Sequence, residues 1–150
     1  MILQESTFLP CPPATAIAFL EGMDRHYRDW HPDHVDFRWL PSPRGPHGRF
    51  HFEERVGRWR LRLQMRLDFR SGDRAVYAPE NRFVRWAFPG MSFEVLREGS
   101  GCRWTHRIAL RLAFLAPLVE RTLLQPLRVH MREETANLRK LVGGRLPPPA

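Results

Sequence analysis

The sequence contains no long uninterrupted run of apolar residues. None of its apolar segments approaches the roughly 18 residues that a membrane-spanning helix needs, so we expect no integral association with a membrane. The first ten residues, 1–10, have no basic region, no continuous apolar stretch and no cleavage-site pattern. Such a segment is not typical of a signal peptide, and we therefore expect a cytoplasmic protein.

Cysteine is scarce, because the chain has only Cys11 and Cys102, which lie far apart in the sequence. This number and spacing argue against a disulfide framework and against a cysteine-based metal motif. We expect both thiols to fill small spaces in the core. The chain also lacks a G-x-S-x-G motif, a P-loop and a G-x-G-x-x-G motif. These absences argue against serine hydrolases and nucleotide-binding proteins.

Lysine is almost absent: Lys140 is the only one, and the net charge of +8 comes from arginine. A basic excess can indicate a nucleic acid or an anionic surface as the partner. The arginines, however, alternate with apolar residues and form no dense cluster, which is typical of the solvent face of a sheet. We therefore expect no nucleic-acid partner, and an arginine-rich binder of nucleic acid or of a membrane surface is the weakest of three hypotheses.

The length of 150 residues suits a single domain. Hydrophobic residues make up 43% of the chain and charged residues 27%, as in ordinary globular proteins. We expect residues 1–142 to form one domain and the residues 143–150, rich in glycine and proline, to form a C-terminal tail.

Alternation of apolar and polar residues predicts β-strands over most of the chain. The predicted strands are 1–8, 35–40, 49–56, 59–69, 75–78, 82–88, 92–98 and 102–112. Two short helices are predicted after the first strand, at 14–20 and 21–30. Pro13 stands at a plausible first position of the earlier helix.

The period changes from 2 to 3.6 residues toward the C-terminus, which indicates a long amphipathic helix. Its stripe comprises Leu123, Leu127, His130, Met131, Glu134, Leu138 and Leu141, and we expect Leu127, Met131, Leu138 and Leu141 to be buried. Pro126 is predicted to kink this helix or to start its second part. Gly143 and Gly144 are predicted to end it.

These elements predict an α+β fold in which a curved antiparallel sheet of about seven strands wraps around the C-terminal helix. Local hairpins imply a sheet with one buried face, and only the last helix is long enough to cover it. Side chains cannot fill the open end of such a sheet, so we expect a cavity for a small molecule. The residues expected to line it are Trp30, Trp39, Phe52, His106 and Met131.

Three polar residues occupy positions where the pattern predicts apolar ones: Glu54, His130 and Glu134. His130 and Glu134 are four residues apart and share one helix face, whereas Glu133 should face away. Buried imidazole and carboxylate groups are costly unless they are paired or coordinated. They are suitable ligands for Zn²⁺, and also for Mn²⁺ or Fe²⁺, and we expect zinc before the others.

A fourth ligand would come from His31 or His34, which follow the second short helix, and the sequence does not separate the two. An alternative needs no metal: Glu54 pairs with an arginine such as Arg107 or Arg85, and His130 is an ordinary core histidine.

The order of elements resembles the START-like, or SRPBCC, superfamily, which includes polyketide cyclases and lipid-transfer domains. Three segments are similar to a bacterial subgroup of it: Trp30-His31-Pro32-Asp33-His34, Phe52-Glu53-Glu54 and His130-Met131-Arg132-Glu133-Glu134. These segments are also similar to the ligand set of zinc-dependent phloroglucinol-type hydrolases, which cleave a carbon–carbon bond next to a ketone on a phenolic ring. The resemblance implies a helix-grip fold and a metal held by a His, a Glu and a His-x-x-x-Glu pair.

Two hypotheses for the function therefore lead. The first is binding of a hydrophobic or aromatic small molecule, such as a lipid or polyketide, in a cavity with a divalent metal site. The second is a metal-dependent hydrolase or cyclase that acts on a phenolic ketone or a polyketide-type substrate, with catalytic residues that the sequence does not identify. Under either hypothesis we expect a monomer or a weak homodimer.

Overall fold

The structure, a computed structural model, describes residues 1–111 and 116–144. Its strands are β1 (Ile2–Leu9), β2 (His34–Trp39), β3 (Arg49–Val56), β4 (Trp59–Ser71), β5 (Arg74–Pro79), β6 (Gly90–Glu98) and β7 (Gly101–Ala109). Its helices are α1 (Pro13–Glu21), α2 (Met23–Trp30), α3 (Arg82–Ala87), α4 (Ala116–Val119) and α5 (Gln125–Gly144), with a π-helical segment, Glu120–Leu124, before α5. Pro13 is the first residue of α1, as predicted.

The seven strands form one antiparallel sheet in the order β1-β7-β6-β5-β4-β3-β2. The sheet is curled into a half-barrel, and α5 packs against β1 and β3. The helix-grip architecture predicted from the alternation and the C-terminal stripe is therefore confirmed. Leu127, Met131 and Leu138 are buried, and Leu141 is half-buried against the core.

The core forms two adjoining clusters. The larger one joins α1, α2 and the second half of α5 to the sheet, and it contains both cysteines, which are buried and form no disulfide. The smaller cluster surrounds the first half of α5 through Leu124, Leu127 and Met131. Because both clusters lie along α5, this helix organises the side of the sheet that carries the cavity.

The prediction of a strand at residues 82–88 is wrong, because residues 82–87 form helix α3. The side chain of Asn81 accepts hydrogen bonds from the backbone N–H groups of Phe83 (2.9 Å) and Val84 (3.1 Å). An asparagine in this position satisfies the first free N–H groups of a helix. The aromatic and β-branched residues of the segment favour a strand, but the cap decides the local structure.

The start of α5 shows the effect of Pro126, its second residue, which begins the second part of the helical region as predicted. Proline has no N–H and cannot donate to the carbonyl of Thr122, four residues earlier. That carbonyl accepts a 2.8 Å hydrogen bond from the indole of Trp59 instead. The N–H of Gln125 bonds to Glu120, five residues earlier, so the π-helical segment accommodates the proline.

Helix α5 continues through Gly143 and Gly144, which were predicted to end it. Gly143 is not among the glycines with positive φ, so it does not adopt the left-handed conformation of a helix cap. Strand β7 ends at Ala109, and Leu112, the predicted last residue of this strand, lies outside the described residues, as do residues 145–150 of the tail. Within the described residues, no helix is both long and apolar enough to cross a membrane.

Candidate metal centre

Side chains from three elements converge at one point: His34, Glu54, His130 and Glu134. One ligand atom from each lies within 4.8 Å of the other three. His34 is the first residue of β2 and is paired with Glu54 on β3, so both side chains stand on the same face of the sheet. His130 and Glu134 lie on adjacent turns of α5 and face the same point.

The orientation of His34 is determined by its surroundings. Its Nδ1 lies 2.7 Å from the backbone carbonyl of Tyr27, to which it donates, and its ring stacks on the Tyr27 ring at 3.9 Å. Its Nε2 therefore faces the carboxylates, 2.8 Å from Glu134 Oε1 and 3.9 Å from Glu54 Oε2. Histidines that bind metals are commonly oriented in this way, with the second nitrogen bonded to a carbonyl or carboxylate.

His130 faces the same two carboxylates without a hydrogen bond. Its Nε2 lies 3.6 Å from Glu54 Oε2 and 3.7 Å from Glu134 Oε1, which is too long for a good hydrogen bond. Both of its ring nitrogens are buried and have no hydrogen-bond partner among the described residues. A buried polar atom without a partner is costly, and a cation between the rings and the carboxylates would supply one. The four donors therefore fit a divalent metal ion.

Opposite charges lie close together in this cluster. Burial opposes ionisation of Glu134, but the hydrogen bond from His34 and the charges of His34 and His130 hold its pKa well below the usual range. Burial likewise opposes protonation of His130, yet Glu54 and Glu134 raise its pKa to about 9. The proton on His130 thus helps to balance the charge of these carboxylates, a task that a metal ion would take over.

His31, the other candidate for the fourth ligand, is engaged elsewhere. A ring nitrogen of His31 also comes within 4.8 Å of His34 and His130. However, its Nδ1 accepts a 3.1 Å hydrogen bond from the N–H of Asp33, and its Nε2 lies 3.2 Å from Glu133 Oε2. Burial and the neighbouring His130 lower the pKa of His31, so its single proton belongs on Nε2, facing Glu133. This hydrogen bonding favours His34 over His31 as the ligand.

The alternative in which Glu54 pairs with an arginine is not found among the described residues. Arg107 lies 3.0 Å from Glu94, and Arg85 lies 3.0 Å from Asp68. The ionic neighbours of Glu54 are His34 and His130, as described above. This carboxylate therefore belongs to the cluster and not to the arginine-rich outer face of the sheet.

Tyr27 is a site residue that the sequence analysis missed. Its hydroxyl donates a 3.0 Å hydrogen bond to Glu54 Oε2. Burial and the charge of Glu54 raise its pKa above the usual value, which keeps it a phenol. The spacing of Met23, Tyr27 and Trp30, which are the buried residues of α2, was the signal that could have placed it on the inner face.

The cluster lies in the wall of a cavity of about 510 Å³ between the sheet and the helices. Glu54, His130, Glu134 and Tyr27 line it. So do all five residues expected to line a ligand cavity: Trp30, Trp39, Phe52, His106 and Met131. The volume is in the range of small-molecule sites, and the lining is mainly aromatic and aliphatic with a few polar groups at one place.

His106 adds an imidazole to the same wall. Its Nδ1 lies 3.7 Å from Glu134 Oε2, and its ring stacks on Phe93 at 4.7 Å. Its Nε2 is buried and has no hydrogen-bond partner among the described residues. Burial lowers the pKa of His106, so it is neutral at neutral pH and can accept or donate a hydrogen bond.

Solved structures with a similar shape cover nearly the whole chain. A protein from Thermus thermophilus matches with a TM-score of 0.75 and 11% identity, over 98% of this chain and 100% of its own. A START superfamily protein from Mycobacterium smegmatis matches with a TM-score of 0.74 and 9% identity, over 97% and 99%. The Zhui aromatase/cyclase from Streptomyces sp. R1128 matches with a TM-score of 0.66 and 12% identity, over 99% and 96%.

No protein-family model matches the chain, and no curated protein matches its sequence. Identities near 10% show a shared shape and leave the chemistry open, because one fold supports many functions. The similarity to zinc-dependent hydrolases, which the sequence segments suggested, is not among these matches. What the chain shares with its structural neighbours is the START-like helix-grip fold.

Proposed function

We propose that the protein binds a hydrophobic or aromatic small molecule, of the lipid or polyketide kind, beside a divalent metal ion. His34, Glu54, His130 and Glu134 would hold the ion. The observation that carries the proposal is the convergence of these ligand atoms in the wall of a largely apolar cavity. A START protein and an aromatase/cyclase among the structural neighbours support small-molecule binding.

A divalent cation suits the cluster, and we expect zinc before manganese or iron. With both histidines neutral, a divalent cation balances the charges of the two carboxylates, and the buried group then has no net charge. Two imidazoles and two carboxylates are common ligands of zinc and also of manganese or iron. An oxygen of the bound molecule can approach the ion from the cavity, since three of the four residues line it.

Elemental analysis of protein purified without chelators or a polyhistidine tag tests the metal site. We expect one zinc ion per chain in the native protein or after dialysis against zinc. His130→Ala should abolish metal uptake, and Glu134→Gln should reduce it strongly. Glu133→Gln is the matched control, because Glu133 is the next residue on α5 but bonds to His31 outside the cluster.

Two results would contradict the metal site. One is a wild-type chain that takes up no divalent metal. The other is a Glu133→Gln variant that loses metal as strongly as Glu134→Gln does. In either case the cavity would still be a candidate for binding an apolar molecule, and titration of the intrinsic tryptophan fluorescence with such molecules would test that separately.

A metal-dependent hydrolase or cyclase is the second candidate function. The observation that favours it is the pair of polar groups beside the ligand set, the hydroxyl of Tyr27 and the ring of His106. When bound, the metal would polarise a carbonyl of the substrate and lower the pKa of a bound water. Turnover of phenolic ketones by the zinc-loaded chain, lost in His130→Ala, would support this function. The absence of turnover with any phenolic ketone would count against it.

A further inference from the structure

The cavity meets an irregular part of the sheet at β4. Strand β5 pairs with β4 only from Met65 onward, and the last bond between these segments joins the N–H of Glu80 to the carbonyl of Gln64. Residues 59–63 of β4 pair with β3 on one side and with no described strand on the other. Leu61 and Leu63 from this free edge line the cavity.

Helix α3 follows β5 at this place and also lines the cavity, through Phe83, Val84 and Ala87, and so does Phe88, the residue after the helix. The carbonyl of Ala87 accepts a 2.9 Å hydrogen bond from the N–H of Arg111, just beyond β7. Helix α3 therefore lies beside the gap that the sheet leaves next to the free edge of β4. Among the described residues, no strand closes this side of the cavity.

The outer face of α3 is unusually apolar. Phe83 is 81% exposed and Trp86 is 52% exposed, and none of the residues of the helix is buried. The two aromatic residues are three apart and lie on one face of the helix. Exposed aromatic side chains that cluster in this way mark an interaction surface.

The surroundings of this face are positively charged. Arg82 and Arg111 are exposed, and neither forms an ion pair with another described residue. The acidic groups nearby are already paired, Asp68 with Arg85 at 3.0 Å and Glu80 with Arg49. The two aromatic residues and these two arginines are together complementary to a surface in which anionic groups cover an apolar layer.

We propose that α3 docks the protein onto the surface of an anionic lipid bilayer. Phe83 and Trp86 would enter the headgroup region, where aromatic residues are favoured, and Arg82 and Arg111 would contact the lipid phosphates. The gap beside α3 would then face the membrane, so that an apolar ligand moves between bilayer and cavity with little exposure to water. This proposal uses no metal ligand and is independent of the metal site.

Flotation with lipid vesicles tests the docking. The intact protein should float with vesicles of equal parts phosphatidylcholine and phosphatidylglycerol, and much less with phosphatidylcholine alone or at high salt. The double variant Phe83→Ser/Trp86→Ser should bind the anionic vesicles at least about tenfold more weakly than the wild type. Leu96→Ser is the matched control, because Leu96 is 44% exposed on β6 and does not line the cavity.

A second measurement uses only the wild type and one conservative variant of an exposed residue. Brominated lipids in the same vesicles should quench the tryptophan fluorescence of the wild type, and Trp86→Phe should lose most of that quenching. The proposal is overturned if anionic vesicles do not bind the wild type, or if the double variant binds them as well as Leu96→Ser does. It is also overturned if Phe83 and Trp86 are needed for a stable dimer or for nucleic-acid binding and not for vesicles.

Discussion

At Glu54 the alternation of β3 places a carboxylate on the face that also carries Phe52 and Val56, both of which are buried. Such an exception to an apolar pattern can be detected in the sequence, and the same holds for His130 and Glu134 on α5. The choice between His31 and His34 could not be made in this way. It depends on which nitrogen meets a carbonyl or an N–H group, and that is known only from the folded backbone.

Tyr27 has a role that can be tested at the level of one hydroxyl group. Tyr27→Phe removes the hydrogen bond to Glu54 Oε2 and keeps the ring that stacks on His34. Because such outer hydrogen bonds orient metal ligands, we expect zinc affinity to fall about tenfold with little loss of stability. Isothermal titration with zinc measures the affinity.

The second tyrosine of the chain provides the control. Tyr77 also has a buried ring, but its hydroxyl donates to the carbonyl of His47, away from the ligand cluster. Tyr77→Phe should therefore bind zinc like the wild type. Equal zinc affinity in Tyr27→Phe and Tyr77→Phe would show that Tyr27 does not position Glu54.

At the scale of elements, strands with a long alternation were predicted within a few residues, and the short helix α3 was not. The segment 82–88 contains Phe83, Val84 and Trp86, whose intrinsic preference is for strands. Its helical structure depends on two hydrogen bonds to the side chain of Asn81. In a segment with so few buried residues, local capping outweighs a weak propensity.

The cap of α3 leads to a prediction about stability. Asn81→Ala removes both hydrogen bonds and should lower the free energy of unfolding by about 1 kcal/mol. Asn81→Asp keeps an acceptor in the same place and should cost much less. Urea denaturation of the two variants measures the difference, and equal losses would mean that the side chain of residue 81 does not cap the helix.

At the scale of the whole molecule, the fold was predictable because the sheet and the last helix each have a strong and different period. The site was predictable only in part, because its residues belong to β2, β3 and α5, which meet through the curvature of the sheet. Structural neighbours near 10% identity share the fold over nearly the whole chain. The shape is therefore compatible with many side-chain sets, and the chemistry depends on the few polar residues that face the cavity.

A metal held by three separate elements should stabilise the whole fold. Binding to the native state alone adds free energy that grows with the ligand concentration, about 3 kcal/mol at a hundredfold excess over the dissociation constant. We expect the melting temperature of the zinc-loaded chain to drop by several degrees when a chelator removes the ion. In Glu134→Gln the chelator should lower the melting temperature much less, while in Glu133→Gln it should act as in the wild type. Zinc uptake without any change in melting temperature would place the ion outside the cluster that joins β2, β3 and α5.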